Sequence, residues 1–185
     1  MNETQFRELR TARLIGRPVA PADFAALRRL HADPAVMRTL SADGRIVPEA
    51  HTLSLIERFV AHWREHGDGV WLFRAADDER FIGYAGLLRR VLDGAPECEL
   101  LYAVSSAEWR QGHATEMARA VVFYAFGERR EPSVVALVLP ENIGSRRVIE
   151  TLGFALEKTV THAGLPHLFT RLRAAAREME GATKR

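Results

Sequence analysis

Apolar residues recur along the 185-residue chain in two rhythms, one helical and one alternating, and the changes between them outline the elements. Ala12–Val19 reads as a first strand. Pro21-Ala22-Asp23 opens a helix through about Leu30, with proline where helices tolerate it. Asp33-Pro34 starts a short helical piece holding Val36, Met37 and Leu40. After the polar break Ser41–Arg45, Leu53, Ile56, Val60 and Trp63 recur at helical spacing across Pro48–His66, which Gly67 ends. Val70–Ala75 and Phe81–Arg89 read as strands joined by the acidic turn Asp77-Asp78-Glu79. A loop over Leu92–Pro96 leads into a strand over Cys98–Val104.

The second half repeats this alternation. A long helix over about Gly112–Gly127 carries Ala114, Met117, Ala118, Val121, Val122 and Ala125 on one stripe. Ser133–Leu139 is a continuous apolar, β-branched run, the signature of a parallel strand buried on both faces. A helix over Ile143–Leu152 ends at Gly153, and Phe154–His162 and Leu165–Leu172 are two more strands around Ala163-Gly164. Trp63 and Trp71 are expected in the core. Arg173–Arg185, alanine-rich and charged, reads as a terminal helix or tail. With no internal repeat or low-complexity linker, one domain is expected over residues 11–172, preceded by an extension over 1–10 and followed by a tail over 173–185.

Composition adds little. A net charge of +2 does not argue for a nucleic-acid partner, and the excess of arginine over lysine (24 to 2) reads as coding bias. The single cysteine, Cys98, cannot form an internal disulfide and fits a reducing, cytoplasmic setting. No leader-like apolar segment follows the N-terminus and no apolar run approaches the roughly 18 residues of a membrane span, so neither secretion nor membrane insertion is expected. No cluster of His, Cys, Asp and Glu has the spacing of metal ligands, so no metal is expected.

Glu99–Glu116 carries the first chemistry. A buried strand stops, a polar connector with Gly112 follows, and a helix begins. A turn of this kind leaves backbone N–H groups and the positive end of a helix dipole facing outward, a receptacle for phosphate. Two nucleotide loops are excluded by spacing. There is no G-x-x-x-x-G-K-S/T, and no G-x-G-x-x-G follows a strand. What stands here is W-R-Q-G-H-A-T-E, Trp109–Glu116.

That segment resembles the pyrophosphate-binding loop, Q/R-x-x-G-x-G/A, of the GNAT superfamily of acyl-CoA-dependent N-acyltransferases. It is most similar to W-G-x-G-Y-A-T-E, the version in the branch that acetylates the N-termini of ribosomal proteins. Trp109, Gly112, Ala114, Thr115 and Glu116 match, whereas Arg110 stands where glycine is usual and could reach a phosphate itself. The openings T-A-R-L-I-G-R-P-V, D-F-A-A-L and D-P-A-V-M-R-T-L, and the strand F-I-G-Y-A-G-L, also resemble this branch. Asn142–Phe154, N-I-G-S-R-R-V-I-E-T-L-G-F, matches its N-x-x-S-x-x-V/I/L-I/L-E-x-L-G-F.

The resemblance implies an α/β (α+β) domain whose mixed, mostly antiparallel seven-stranded sheet has a splayed central parallel pair and helices on both faces. It further implies acetyl-CoA as co-substrate, with Arg110, Gln111, Gly112, His113, Ala114 and Thr115 around the pyrophosphate. Tyr102, Ala103 and Val104 would serve the pantetheine through backbone groups, their side chains left to packing. Asn142 would lie beside the pantetheine arm and Ser145 near the thioester sulfur. Asn142 also reads as a helix N-cap, and His113 as an exposed loop residue. Many family members place an acidic tyrosine four residues after the serine, where this chain has Ile149.

The acceptor amine must lose a proton. At pH 7 this costs roughly 4–5 kcal/mol for a lysine-like amine with a pKa of about 10.4, but only about 1–1.4 kcal/mol for an α-amine near 7.7–8.0. Glu99, where the branch has E-I/L-G-Y, is the candidate base; it reads equally as half of a solvated pair with Glu97. His162 and His167 flank the hairpin that borders the acceptor site in this fold. No cysteine or serine adjoins a histidine as a covalent nucleophile would require, so attack on the thioester is direct. The expectation is an N-acetyltransferase acting on a protein N-terminal α-amine. The alternatives are a small-molecule amine (polyamine, antibiotic or amino acid) as acceptor, or a non-catalytic acyl-CoA-binding module. The chain is expected as a monomer or homodimer.

Overall fold

The computed structural model describes residues 8–41 and 44–174. Eight strands form one sheet: β1 (Leu9–Arg10), β2 (Leu14–Pro18), β3 (Val70–Ala75), β4 (Phe81–Leu92), β5 (Ala95–Val104), β6 (Ser133–Val138), β7 (Ala155–His162) and β8 (Leu165–Arg173). Their order is β1-β2-β3-β4-β5-β6-β8-β7. Five α-helices are present among the described residues: α1 (Phe24–His31), α2 (Pro34–Leu40), α3 (Glu49–His66), α4 (His113–Gly127) and α5 (Ile143–Leu152).

Side chains of successive strand residues point to opposite faces, and the core divides accordingly. One face packs Trp71, Phe73, Ala85, Leu87, Leu100 and Val104 against the α4 stripe of Met117, Ala118, Val121 and Ala125 and against Ile149 of α5. The other packs Val70, Leu72, Tyr84 and Ala103 against Leu27 and Leu30 of α1, Val36 of α2, and Ile56 and Phe59 of α3. Trp63 and Trp71 are both buried, their rings 4.8 Å apart and near-perpendicular.

The expected seven strands are eight. The extra one, Leu9–Arg10, pairs with Gly16 and Ile15 inside the stretch set aside as an extension. Two residues carry too little periodicity to announce a strand, and pairing with β2 defines this one. The loop expected over Leu92–Pro96 is instead a two-residue turn. Asp93 and Gly94 both have positive φ (50° and 81°), and Leu92 pairs directly with Ala95. That backbone suits the twist of a tight hairpin, and Asp-Gly is a residue pair that favours it. The tail expected over 173–185 begins with Arg173 still in β8; from residue 175 it lies outside the described residues.

The feature that positions the site is the junction of β5 and β6. Every neighbouring pair in the sheet is antiparallel except this one, and it has a single pair of Cα partners, Glu99 and Val135. Beyond it the strands diverge. On its other side β5 is held against β4 so closely that a Cβ on Gly83 would lie 2.2 Å from the Ala103 carbonyl oxygen, which accounts for glycine in F-I-G-Y.

Candidate active site

The divergence opens a cavity of about 780 Å³ at the carboxyl ends of the parallel pair, where ligand crevices of α/β sheets form. It is lined by Glu99–Val104 of β5, the connector and first turn of α4, the last residues of β6, and the start of α5. Both sequence motifs therefore meet in one place. Of the expected site residues, Glu99, Tyr102, Ala103, Val104, Arg110, Gly112, His113, Ala114, Thr115, Asn142 and Ser145 line it. Gln111 does not; its side chain is exposed and turns back toward Ala107 and Glu108.

The connector is shaped by its own backbone. Arg110 and Gly112 have φ of 62° and 81°, in the left-handed region. This explains why glycine is usual at position 110 and marks the arginine as a strained substitute. Gly112 is the N-cap of α4, and no side chain caps that helix, so its first N–H groups remain available to an anion. Two outside residues hold the loop. Glu116 accepts hydrogen bonds from Thr11 Oγ1 (2.6 Å), the Arg13 backbone N–H (3.0 Å) and Arg13 Nε (2.7 Å). Arg13 Nη1 in turn donates to the Gln111 carbonyl at 3.0 Å. The T-A-R opening and the A-T-E ending of the loop are thus one brace between the β1–β2 turn and α4.

His113 is corrected from exposed to buried, at 4% exposure. The turn over Ser106–Glu108 folds the connector back on itself and brings a carboxylate over the helix start, leaving His113 Nδ1 3.5 Å from Glu108 Oε2.

At the other side of the cavity, Asn142 Oδ1 accepts from the Ser145 N–H at 3.0 Å, capping α5, and Asn142 Nδ2 donates to the Thr39 carbonyl of α2 at 3.3 Å. The Tyr102 side chain is not simply packed. Its hydroxyl lies 2.7 Å from Ser145 Oγ and 3.2 Å from the Ser145 carbonyl. Burial pushes this phenol up to about 12, while the Ser145 contact pulls the other way. Ile149 is buried in the core, facing away from the chemistry.

Glu99 is also corrected from the solvated alternative. It is 7% exposed and accepts from Arg90 Nη1 at 3.1 Å, while Glu97 pairs separately with Arg171 at 2.6 Å. Burial raises the Glu99 carboxyl above its ordinary value, and Arg90 and His167 partly oppose this. His162 and His167 line the same cavity, with rings 5.5 Å apart. Burial, Arg90 and His167 hold His162 below the usual imidazole value. Cys98 is buried and its thiol is pushed up to about 12, which suits it to packing and not to nucleophilic attack.

Arg38, Thr39, Glu141 and Arg147 also line the cavity, though no motif marks them as site residues; Arg38 and Thr39 come to it on α2 through long-range contacts, such as that of Thr39 with Asn142. A second cavity of about 700 Å³ lies at the opposite end of the β5–β6 pair, and two of its carboxylates are paired, Glu131 with Arg89 and Glu97 with Arg171. Among the described residues no group of three or more His, Cys, Asp or Glu could hold a metal ion, and no helix is long and apolar enough to cross a membrane.

Comparison with known proteins bears on this geometry. Residues 13–155 match the model of the Acetyltransferase (GNAT) domain. YkkB of Bacillus subtilis is 35% identical over 98 residues, 52% of this chain and 57% of its own, so the match spans little more than half of that relative. YoaA of the same organism, an uncharacterised N-acetyltransferase, is 27% identical over 152 residues, covering 82% of this chain and 85% of its own. An acetyltransferase structure from Agrobacterium tumefaciens superposes with a TM-score of 0.79 at 27% identity, covering 91% of this chain and 95% of its own. At 21% identity, RimJ of Mycobacterium smegmatis in complex with CoA-disulfide shares the fold, with a TM-score of 0.73 over 94% of this chain and 90% of its own. The chain belongs to the GNAT family of acetyltransferases.

Proposed function

We propose that the chain transfers an acetyl group from acetyl-CoA directly to a primary amine, and that the amine is a protein N-terminal α-amine. The observation carrying this is the single cavity at the β5–β6 divergence, where an uncapped helix start, an open strand edge and a buried carboxylate converge. The α4 N–H groups and Arg110 hold the pyrophosphate. Backbone groups of residues 102–104 take the pantetheine amides, beside Asn142. Glu99 accepts the amine proton and Ser145 faces the sulfur. The CoA-disulfide bound by the RimJ homologue supports the same ligand class for this fold.

The acceptor assignment rests on magnitudes. Glu99 is tied to Arg90, a restrained base suited to an α-amine, which needs only about 1–1.4 kcal/mol for deprotonation at pH 7, against roughly 4–5 for a lysine-like amine. A polyamine pocket calls for surplus negative charge. Here Glu99, Glu108 and Glu141 are balanced by Arg38, Arg110 and Arg147.

Calorimetry with acetyl-CoA, followed by thiol release against peptides with free N-termini, polyamines, amino acids and aminoglycosides, tests the reading. Turnover is expected on peptides, and blocking the peptide α-amine should abolish it. Binding without turnover on any amine would leave an acyl-CoA-binding module instead.

A further inference from the structure

Helix α5 offers no proton donor to the sulfur at the position where a family tyrosine would stand, because Ile149 there is buried in the core. A tyrosine nevertheless reaches the same end of the cavity from another element. Tyr102 arrives on β5, across the divergence from α5, and its hydroxyl is the nearest side-chain partner of Ser145 Oγ, at 2.7 Å. A serine hydroxyl alone is free to turn its one hydrogen toward any acceptor, including neighbouring carbonyls. Its usefulness at a developing thiolate depends on where that hydrogen is held.

We propose that Tyr102 is a positioning residue for the leaving thiolate. Its phenol donates to Ser145 Oγ and so leaves the serine hydrogen directed at the sulfur. The inference rests on the acetyl-CoA reading above. In the step concerned, the amine lone pair has formed the N–C bond, the amine proton has gone to Glu99, and the C–S bond breaks with its electron pair passing to sulfur. Ser145 donates a hydrogen bond to that sulfur, and Tyr102 donates to Ser145. No proton leaves Tyr102, and the thiolate takes its proton later from water.

The 2.7 Å contact allows either hydroxyl to donate, and two features favour the phenol as donor. A phenol is far more acidic than an alkyl hydroxyl, and its alternative acceptor, the Ser145 carbonyl, is farther away at 3.2 Å. Burial also keeps the phenol protonated far above neutral pH, so the donor persists across the working range. A hydroxyl that itself accepts a hydrogen bond is polarised and becomes a better donor. Helix α5, capped by Asn142, fixes the serine at one end of the chain, and the β4–β5 pairing fixes the tyrosine at the other.

The test combines kinetics with an equilibrium readout on Tyr102→Phe, Ser145→Ala and the double variant. Tyr102→Phe should lower kcat on the order of ten-fold with KM for acetyl-CoA unchanged, and the double variant should be no slower than Ser145→Ala alone. The acidity of CoA bound to the protein, followed by thiolate absorbance against pH, should fall by about one pKa unit in Tyr102→Phe, the equivalent of that ten-fold. Site-specific 3-fluorotyrosine at 102, a stronger donor of nearly the same shape, should shift the bound thiol the other way and serves if the phenylalanine variant does not fold. A bound-thiol pKa unmoved by these changes, or a Tyr102→Phe loss undiminished in the Ser145→Ala background, overturns this inference alone. A wild-type protein that neither binds CoA nor turns over acetyl-CoA overturns the functional reading and this inference with it.

Discussion

Burial lifts the Glu99 carboxyl above its ordinary value, and the guanidinium of Arg90 pulls it part of the way back. A carboxyl raised in the folded state favours its protonated form there, so folding is penalised as pH rises from the unfolded value of about 4.3 through the folded one. Glu99→Gln removes both the base and that penalty. It should cut kcat by on the order of 10²-fold while the melting temperature at pH 7 holds or rises, the advantage vanishing near pH 4. A melting-temperature series from pH 4 to 8 beside thiol-release rates checks both signs. Arg110 sets a second opposition. Its φ of 62° costs a side-chain-bearing residue about 1 kcal/mol, relieved by glycine. Arg110→Gly should therefore raise stability by a few tenths to about 1 kcal/mol while weakening acetyl-CoA several-fold, most visibly at low salt, where a lost phosphate contact matters most. Denaturant unfolding and calorimetry measure the two separately, and an affinity unchanged at low salt would remove Arg110 from the phosphate site.

Between elements, the brace from the β1–β2 turn to α4 governs the loop. Burial pushes the Glu116 carboxyl up, but the hydrogen bonds from Thr11 and Arg13 outweigh it and leave the carboxyl below its usual value. Glu116→Ala should cost about 2 kcal/mol, the scale of partly buried hydrogen bonds to a charge. It should raise KM for acetyl-CoA with little change in kcat at saturation, since the brace touches the loop and not the reacting atoms. Steady-state kinetics with varied acetyl-CoA separates this from general unfolding. Thr11, Arg13 and Glu116 were each visible as motif letters, yet nothing in the sequence indicates that positions 103 to 105 residues apart hold one another. The same holds for Tyr102 and Ser145, legible one by one and meeting only because β5 and α5 face each other across the divergence. Helices, buried strands and the two motifs were legible because they are written in local periodicity and fixed spacing. Short β1 has no period to read, and the burial of His113 depends on a turn that brings Glu108 over it.

Taken as one molecule, the domain holds several histidines neutral inside its packing, and this sets how it meets acid. His31, 3% exposed, lies beside Thr52 Oγ1 (3.1 Å) and edge-on to Tyr84, and burial chiefly lowers it from 6.5 to about 4. His62 accepts the Arg89 backbone N–H at Nε2 (2.9 Å), so its proton sits on Nδ1 and points to the Asp68 carbonyl (2.9 Å). Protonating Nε2 would set two donors against each other, and burial likewise lowers this group. In each case the unfolded chain binds a proton the folded one refuses. The stability is full above about pH 6.5 and is lost progressively as pH falls through the folded values. For His31 the shift from 6.5 to about 4 corresponds to about 3 kcal/mol, a large share of a domain's usual 5–15. The protein should therefore lose stability from about pH 6.5 downward, before most carboxylates protonate. His31→Gln, which cannot titrate, should be less stable than wild type at pH 7 through lost packing and should show a flatter profile between pH 7 and 4. Urea midpoints across that interval measure the slope. A His31→Gln slope equal to that of the wild type would mean that this imidazole titrates in the folded protein as it does in the unfolded chain.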